Sequence, residues 1–225
     1  NNEELIAAQK SGFPLFERAE FLGLISRQYK KVIAISGTHG KTTTTGMIAS
    51  IFEEANFHPT VHMGGIDLNY CDNLKIGSNK FFITEACEYN KSFLHLTPNT
   101  TIILNIEHDH PDCYPNENDM FKVFKKLCDK TKNCVIMPEK LKNAVEYKPQ
   151  KIKKTITIEN GRGSFYVDQI YIKNGKYCYK VYKNGEYFLT ANLNIVGKHN
   201  VVNSLYAIAC ADYYKIAPEI IEKGL

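Results

Sequence analysis

The stretch from Lys31 to Ala55 restricts the fold most. An apolar run, Val32-Ile33-Ala34-Ile35-Ser36, passes through Gly37-Thr38-His39-Gly40-Lys41-Thr42-Thr43 into residues that place Ile48, Ile51, Phe52 and Ala55 on one helical face. A continuous apolar run followed by apolar residues at helical spacing reads as a buried strand feeding a helix that packs back onto a sheet. The glycines between them let backbone N–H groups approach phosphates, and the helix turns its positive end toward them. Lys41 adds a charge and Thr42 offers a hydroxyl to Mg²⁺. Gly37, Thr38, His39, Gly40, Lys41, Thr42 and Thr43 therefore read as a loop for a nucleoside triphosphate such as ATP. The usual spacing would put a further glycine where Ile35 stands, so the match is to a shorter Gly-x-x-Gly-Lys-Thr form. The competing reading is a tight strand-to-helix turn that carries a lysine.

Further apolar runs at Phe81–Ala86, Thr101–Ile106 and Cys134–Met137 read as buried strands, and Met120–Lys130 as a helix with Phe121, Phe124 and Leu127 on one face. Alternation of this kind predicts an α/β fold, a P-loop NTPase-like, mostly parallel sheet flanked by helices. Asn174-Gly175 and Asn184-Gly185, set between alternating Tyr, Ile and Val segments, predict a small additional antiparallel meander over residues 163–193. Gly197 to Tyr214 reads as a helix returning to the body, with Val201, Leu205, Ile208 and Ala209 on one face. Residues 1–30 hold a short helix from Glu3 to Gln9, an extended Phe13–Phe16 and a helix around Ala19–Ile25, too little for a domain.

At 225 residues and 44% hydrophobic content the chain can bury a sizeable core. A net charge of +4 favours small anionic partners over nucleic acid. Seven cysteines with no Cys-x-x-Cys pair predict reduced thiols in a cytoplasmic protein, and no zinc site. No apolar stretch reaches membrane-spanning length and no basic-then-apolar leader occurs, so no membrane partner is expected. The opening Asn-Asn, without Met, reads as the start of a fragment.

Glu85-Ala86-Cys87-Glu88 ends an apolar strand, where open parallel sheets place ligand-binding residues. Mg²⁺ prefers oxygen ligands and keeps waters beside one or two carboxylates, so Glu85 with Thr42 suffices; Glu88 is the second choice, and a solvated pair of strand-end charges the alternative. Asn105-Ile106-Glu107-His108-Asp109-His110-Pro111-Asp112 follows another apolar strand with five chargeable residues in eight positions. One of its histidines is read as a cation ligand, His110 ahead of His108, with the flanking acids orienting it. In Gly197-Lys198-His199-Asn200-Val201-Val202-Asn203 two amides three apart can face a heterocycle edge, or Asn200 can simply cap a helix. Gly64-Gly65 is either a plain loop or a place where backbone meets a ligand phosphate, and the basic run Lys148–Lys154 reads as a solvated stretch.

Four segments together resemble the Mur ligases: Gly37 to Thr45; Glu85 with Glu88-x-x-x-Ser92-Phe93; Asn105-Ile106-Glu107-x-Asp109-His110-x-Asp112-x-Tyr114; and Gly197-x-His199-Asn200-x-x-Asn203. The resemblance is nearest to the branch that acts on UDP-N-acetylmuramate and L-alanine. The shortened loop spacing is that family's own, and Arg18-Ala19-Glu20-Phe21-Leu22 looks like its linker into the central ATPase domain. The resemblance implies that residues 1–30 are a remnant of the UDP-sugar-binding domain and linker. Residues 31–225 would be the central ATP-binding domain, and the C-terminal ligase domain would lie outside the chain.

It also implies an ATP- and Mg²⁺-dependent ligase of peptidoglycan and cell-wall synthesis, working through an acyl phosphate. Lys41, Glu85 and His110 would be catalytic, and Thr42, Glu85 and His110 would hold metal. The loop residues, Asn105, His199, Asn200 and Asn203 would bind ATP, and Gly64, Gly65, Glu88 and Ser92 the other substrate. Cys87, Tyr89 and Asn90 depart from the family pattern, and neither Lys122 nor Lys125 is assigned the family's carbamylated lysine. The alternatives are a muropeptide-recycling Mur ligase, a nucleotide-binding module without catalysis, and a P-loop kinase or GTPase.

Overall fold

The computed structural model describes residues 2–67, 72–145, 154–159 and 162–225. Helices α1 (Glu3–Lys10) and α2 (Arg18–Ser26) precede strand β1 (Lys31–Ser36), which runs into α3 (Lys41–Glu54). Strands β2 (Pro59–Asp67), β3 (Asp72–Lys75) and β4 (Ser78–Glu85) lead to a 3-10 segment over Tyr89–His95. Then come β5 (Thr100–Ile103), α4 (Glu117–Lys130), β6 (Cys134–Pro138), α5 (Glu139–Ala144) and β7 (Lys154–Glu159). The remainder is β8 (Arg162–Gly163), β9 (Phe165–Lys173), β10 (Lys176–Lys183), β11 (Glu186–Leu193), α6 (Lys198–Tyr213) and α7 (Pro218–Gly224).

One sheet carries the order β11-β10-β9-β7-β6-β5-β1-β4-β2-β3, with β8 on β7. From β2 to β7 the pairs are parallel. A parallel sheet needs cover on both faces, and β1 shows how the sequence supplies it. Ile33 and Ile35 point into a cluster with Ile48, Ile51 and Phe52 of α3 and with Leu205 and Ile208 of α6. Ala34, between them, faces a second cluster with Phe124 and Leu127 of α4 and Phe93. The period of two along a strand divides one apolar run between two cores.

The predicted meander is present and both Asn-Gly turns form, with Asn174, Gly175, Asn184 and Gly185 all at positive φ. It is no separate layer, because β9 pairs in parallel with β7 and extends the same sheet. The strand expected over Thr101–Ile106 stops at Ile103. Past Leu104 the chain bonds to the glycine-rich loop instead of continuing the ladder. Conversely, β4 begins earlier than its apolar part, at Ser78. Several elements escaped the reading, among them β2, which carries Gly64 and Gly65 within a strand, and the 3-10 segment. β3 is a polar edge strand of four residues, β7 alternates without a continuous apolar run, and α5 and α7 span six and seven residues. Of the basic run Lys148–Lys154 only Lys154 falls among the described residues, where it starts β7.

Six cysteines form no disulfide, four of them buried; Cys71 is outside the described residues. Among the described residues no helix is long and apolar enough to cross a membrane. Phe52 anchors the α3 side of the sheet, fully buried among the rings of Phe57, Phe81 and Tyr214 at centroid distances of 5.6, 5.0 and 5.6 Å. Phe52→Ala is expected to lower unfolding stability by about 3–5 kcal/mol in urea titrations. A loss under about 1 kcal/mol would mean that the cluster collapses around the missing ring.

Candidate functional site

The loop after β1 holds Gly37 at φ 137° and Gly40 at φ 87°, backbone conformations that strain any L side chain. Gly40 is also the N-cap of α3, and no side chain caps that helix end. Its first N–H groups are thus left for an anion, which the helix dipole favours. The loop is shaped from outside by the chain that follows β5. His39 N–H donates to Asn105 Oδ1 at 2.8 Å and Asn105 Nδ2 donates back to the His39 carbonyl at 3.0 Å. Thr38 N–H donates to the Asn105 carbonyl, and Glu107 N–H to the Thr38 hydroxyl. Both ends of the Asn105 amide are spent on the loop backbone, so it moulds the loop.

Lys41 Nζ donates to the carbonyls of Gly37 and Thr38 and lies 3.2 Å from both oxygens of Glu88. Glu88 is buried, its side chain 2% exposed. Tyr114 fixes it from behind by donating its hydroxyl to the Glu88 carbonyl. Burial pushes that phenol up to about 12, so it stays a donor at neutral pH. Glu85 Oε1 accepts from Gly64 N–H at 2.7 Å, which ties the end of β4 to β2. Gly65 lies beside Thr42, where an added Cβ would sit 3.3 Å from the threonine methyl. Gly64 and Gly65 thus sit beside Glu85 and Thr42 respectively.

A cleft of about 500 Å³ opens between α2 and the strand ends, lined by Arg18, Lys41, His62, Glu85, Cys87 and Ser92 among others. Burial, then the Arg18 charge, lowers the His62 pKa from its ordinary value, and its Nδ1 lies 3.0 Å from the Thr84 hydroxyl. A second cleft of about 930 Å³ lies on the other side, with Thr42, Thr43 and Asn200 in its wall.

His110 reaches the site and His108 does not. His110 Nε2 is 3.8 Å from Glu88 and from Asp109, whereas His108 Nε2 is engaged with the Tyr114 carbonyl at 2.9 Å. Asn200 is no N-cap, since α6 is capped by Gly197. Its Nδ2 donates to the Val196 carbonyl and its Oδ1 accepts from Asn203 Nδ2. Asn203 packs against the loop, its Oδ1 2.9 Å from where a Gly40 Cβ would stand. His199 is exposed beside Gly197. Among the described residues no three His, Cys, Asp or Glu side chains form a ready metal cluster.

Residues 35–211 match the family model described as the Mur ligase middle domain. The chain belongs to the Mur ligase family. UDP-N-acetylmuramate–L-alanine ligases of Clostridium novyi (strain NT) and Caldicellulosiruptor bescii are each 38% identical to it, over all of this chain and 50% of their own length. This Mur ligase chain therefore spans about half the length of the curated relatives it matches. The crystal structure of the UDP-N-acetylmuramate-alanine ligase of Thermotoga maritima superposes with a TM-score of 0.86 at 27% identity, covering 100% of this chain and 51% of that one. A Thermotoga maritima MurF ligase in complex with ADP shares the fold, with a TM-score of 0.71 at 14% identity over 93% of this chain and 53% of its own.

Reading the sequence did not reveal that this Mur ligase pairs Lys41 with Glu88, that Asn105 clamps the loop, or that Arg18 and Glu17 line the cleft. Tyr89 bonds Asp112 through its hydroxyl and stacks edge-on against His110 at 5.0 Å. Asn105→Ala removes two hydrogen bonds from His39, each worth about 1 kcal/mol net. ADP affinity measured by calorimetry is expected to fall about tenfold or more, with Asn105→Asp in between. Undiminished affinity in a folded Asn105→Ala protein would show that the loop keeps its shape unaided.

Proposed function

We propose that this chain is the central ATPase part of an ATP-dependent amide-bond ligase, which joins L-alanine to the carboxylate of UDP-N-acetylmuramate in the cytoplasm. The observation that carries the reading is the cleft in which Lys41 of the glycine-rich loop and Glu85 of the neighbouring strand face a space large enough for a second substrate. The 38% identity to UDP-N-acetylmuramate–L-alanine ligases supports the choice of substrates.

A carboxylate resists attack by an amine, so it must first gain a leaving group. One carboxylate oxygen bonds to the γ-phosphorus of ATP while the β–γ bridging P–O bond breaks and ADP leaves. The amine nitrogen then attacks the acyl carbon, the C–O bond to phosphate breaks, and inorganic phosphate departs as the nitrogen loses its proton to solvent. The protein's share is alignment and charge. The loop N–H groups and the start of α3 cradle the phosphates, Lys41 neutralises them, and Asn105 keeps the loop in shape.

The donor set suits Mg²⁺, since the Thr42 hydroxyl and the Glu85 carboxylate are hard oxygen ligands, a sufficient protein share when phosphates and waters complete the shell. Glu85 spends Oε1 on Gly64 N–H. His110, beside Glu88, is assigned as the ligand for a second cation, less suited because it offers nitrogen. When bound, Mg²⁺ supplies charge neutralisation and holds the phosphates in line. Gly64, Gly65 and Ser92 are assigned to the acid substrate, and His199, Asn200 and Asn203 to the nucleotide, where the Asn200–Asn203 pair buttresses Gly40.

In the full-length protein, Lys41→Ala is expected to abolish phosphate release dependent on UDP-N-acetylmuramate and L-alanine. Retained turnover would sink the loop assignment. A panel of amino acids and peptides in the same assay fixes the acceptor, and release stimulated by a peptide but not by L-alanine would overturn the substrate assignment.

A further inference from the structure

Glu88 is a buried carboxylate held in place from three directions. Its carbonyl accepts from the Tyr114 hydroxyl and from Lys91 N–H, and the turn that follows is forced by Asn90 and Lys91, both at positive φ. Its side-chain oxygens meet Lys41 Nζ, with His110 Nε2 next at 3.8 Å. An ammonium has three protons. In this structure Gly37, Thr38 and Glu88 take all three, so Lys41 reaches a phosphate only by giving up one of them.

The two carbonyls are neutral and belong to a loop whose N–H groups bind the phosphates. Glu88 is an anion walled off from water, and a buried charge stripped of its partner is strongly disfavoured. Lys41 therefore keeps Glu88 and releases a carbonyl. A carboxylate this close to the phosphate site repels bound nucleotide and holds the lysine back from it. Opposition in the ground state that is relieved as charge shifts during transfer raises turnover at the expense of affinity.

Building on the ligase reading above, we propose that Glu88 is a positioning residue for phosphoryl transfer. Its buried carboxylate fixes the Lys41 ammonium at the end of β4 and holds ground-state nucleotide affinity down. Lys41 closes fully on the phosphates only as negative charge moves toward the leaving diphosphate.

Two measurements separate this from a packing role. Calorimetry with ADP on this chain is expected to show about tenfold tighter binding for Glu88→Gln, while turnover of the full-length protein falls at least about a hundredfold with no rise in KM for ATP. Glu88→Asp, which keeps the charge but draws it back by one methylene, is expected to fall between the two in both respects. Unchanged or weaker ADP binding by a folded Glu88→Gln protein, or undiminished turnover, overturns the proposal. If Glu88→Gln does not fold, Glu88→Asp decides, and wild-type values for both quantities overturn it. Wild-type full-length protein that releases phosphate with no acceptor would sink the ligase reading instead, while the ADP affinities would still test the hold of Glu88 on Lys41.

Discussion

Parallel pairing in a fixed register sets three strand ends level, and the rest of the site depends on it. Ile35 lies opposite both Glu85 and Ile102, and Ser36 opposite Ile103. Within a few residues of those positions come the glycine-rich loop, the Glu85–Glu88 segment and the Asn105–His110 segment. Each loop can therefore bond to its neighbour: Asn105 to His39, Glu88 to Lys41, His110 beside Glu88. A slip of one residue would turn Ile33 and Ile35 to the other face, so the division of apolar side chains between two cores locks the chemistry in place.

The electrostatics follow from where burial is greatest. Glu85 sits at the cleft wall with one oxygen on a backbone N–H. Glu88, three residues on, is enclosed and neutralised by Lys41, with the Tyr114 hydroxyl on its carbonyl. Two carboxylates on one short segment thus face different surroundings, which divides their work. One lies open to the cleft, the other holds a lysine.

Most of the fold was legible because its signals are local. The apolar runs of β1, β4 and β6 and the Asn-Gly turns of the meander depend only on neighbours in the chain, and all are present. The short or alternating elements β3, β7, α5 and α7 carry too few apolar residues for periodicity to separate them from loops. Of the site, Lys41, Glu85 and His110 could be picked out from residue type beside a strand end. Residue type did not show how the amides are tied: Asn105 bonds to the backbone of the glycine-rich loop, and Asn200 to the Val196 carbonyl and to Asn203.

The sequence by itself determined that an apolar strand runs through a glycine-rich turn into a helix, that two acidic segments follow further strands, and that the whole resembles the Mur ligases. Those features are properties of spacing and residue type. Tertiary structure alone decided which acid is enclosed and which is open, that Lys41 finds a carboxylate 47 residues away, and that Asn105 reaches back 66 residues to shape the loop. Such pairings need the sheet order, because β1 lies between β4 and β5 only after the chain has crossed over, and no local pattern encodes which strand ends will stand side by side.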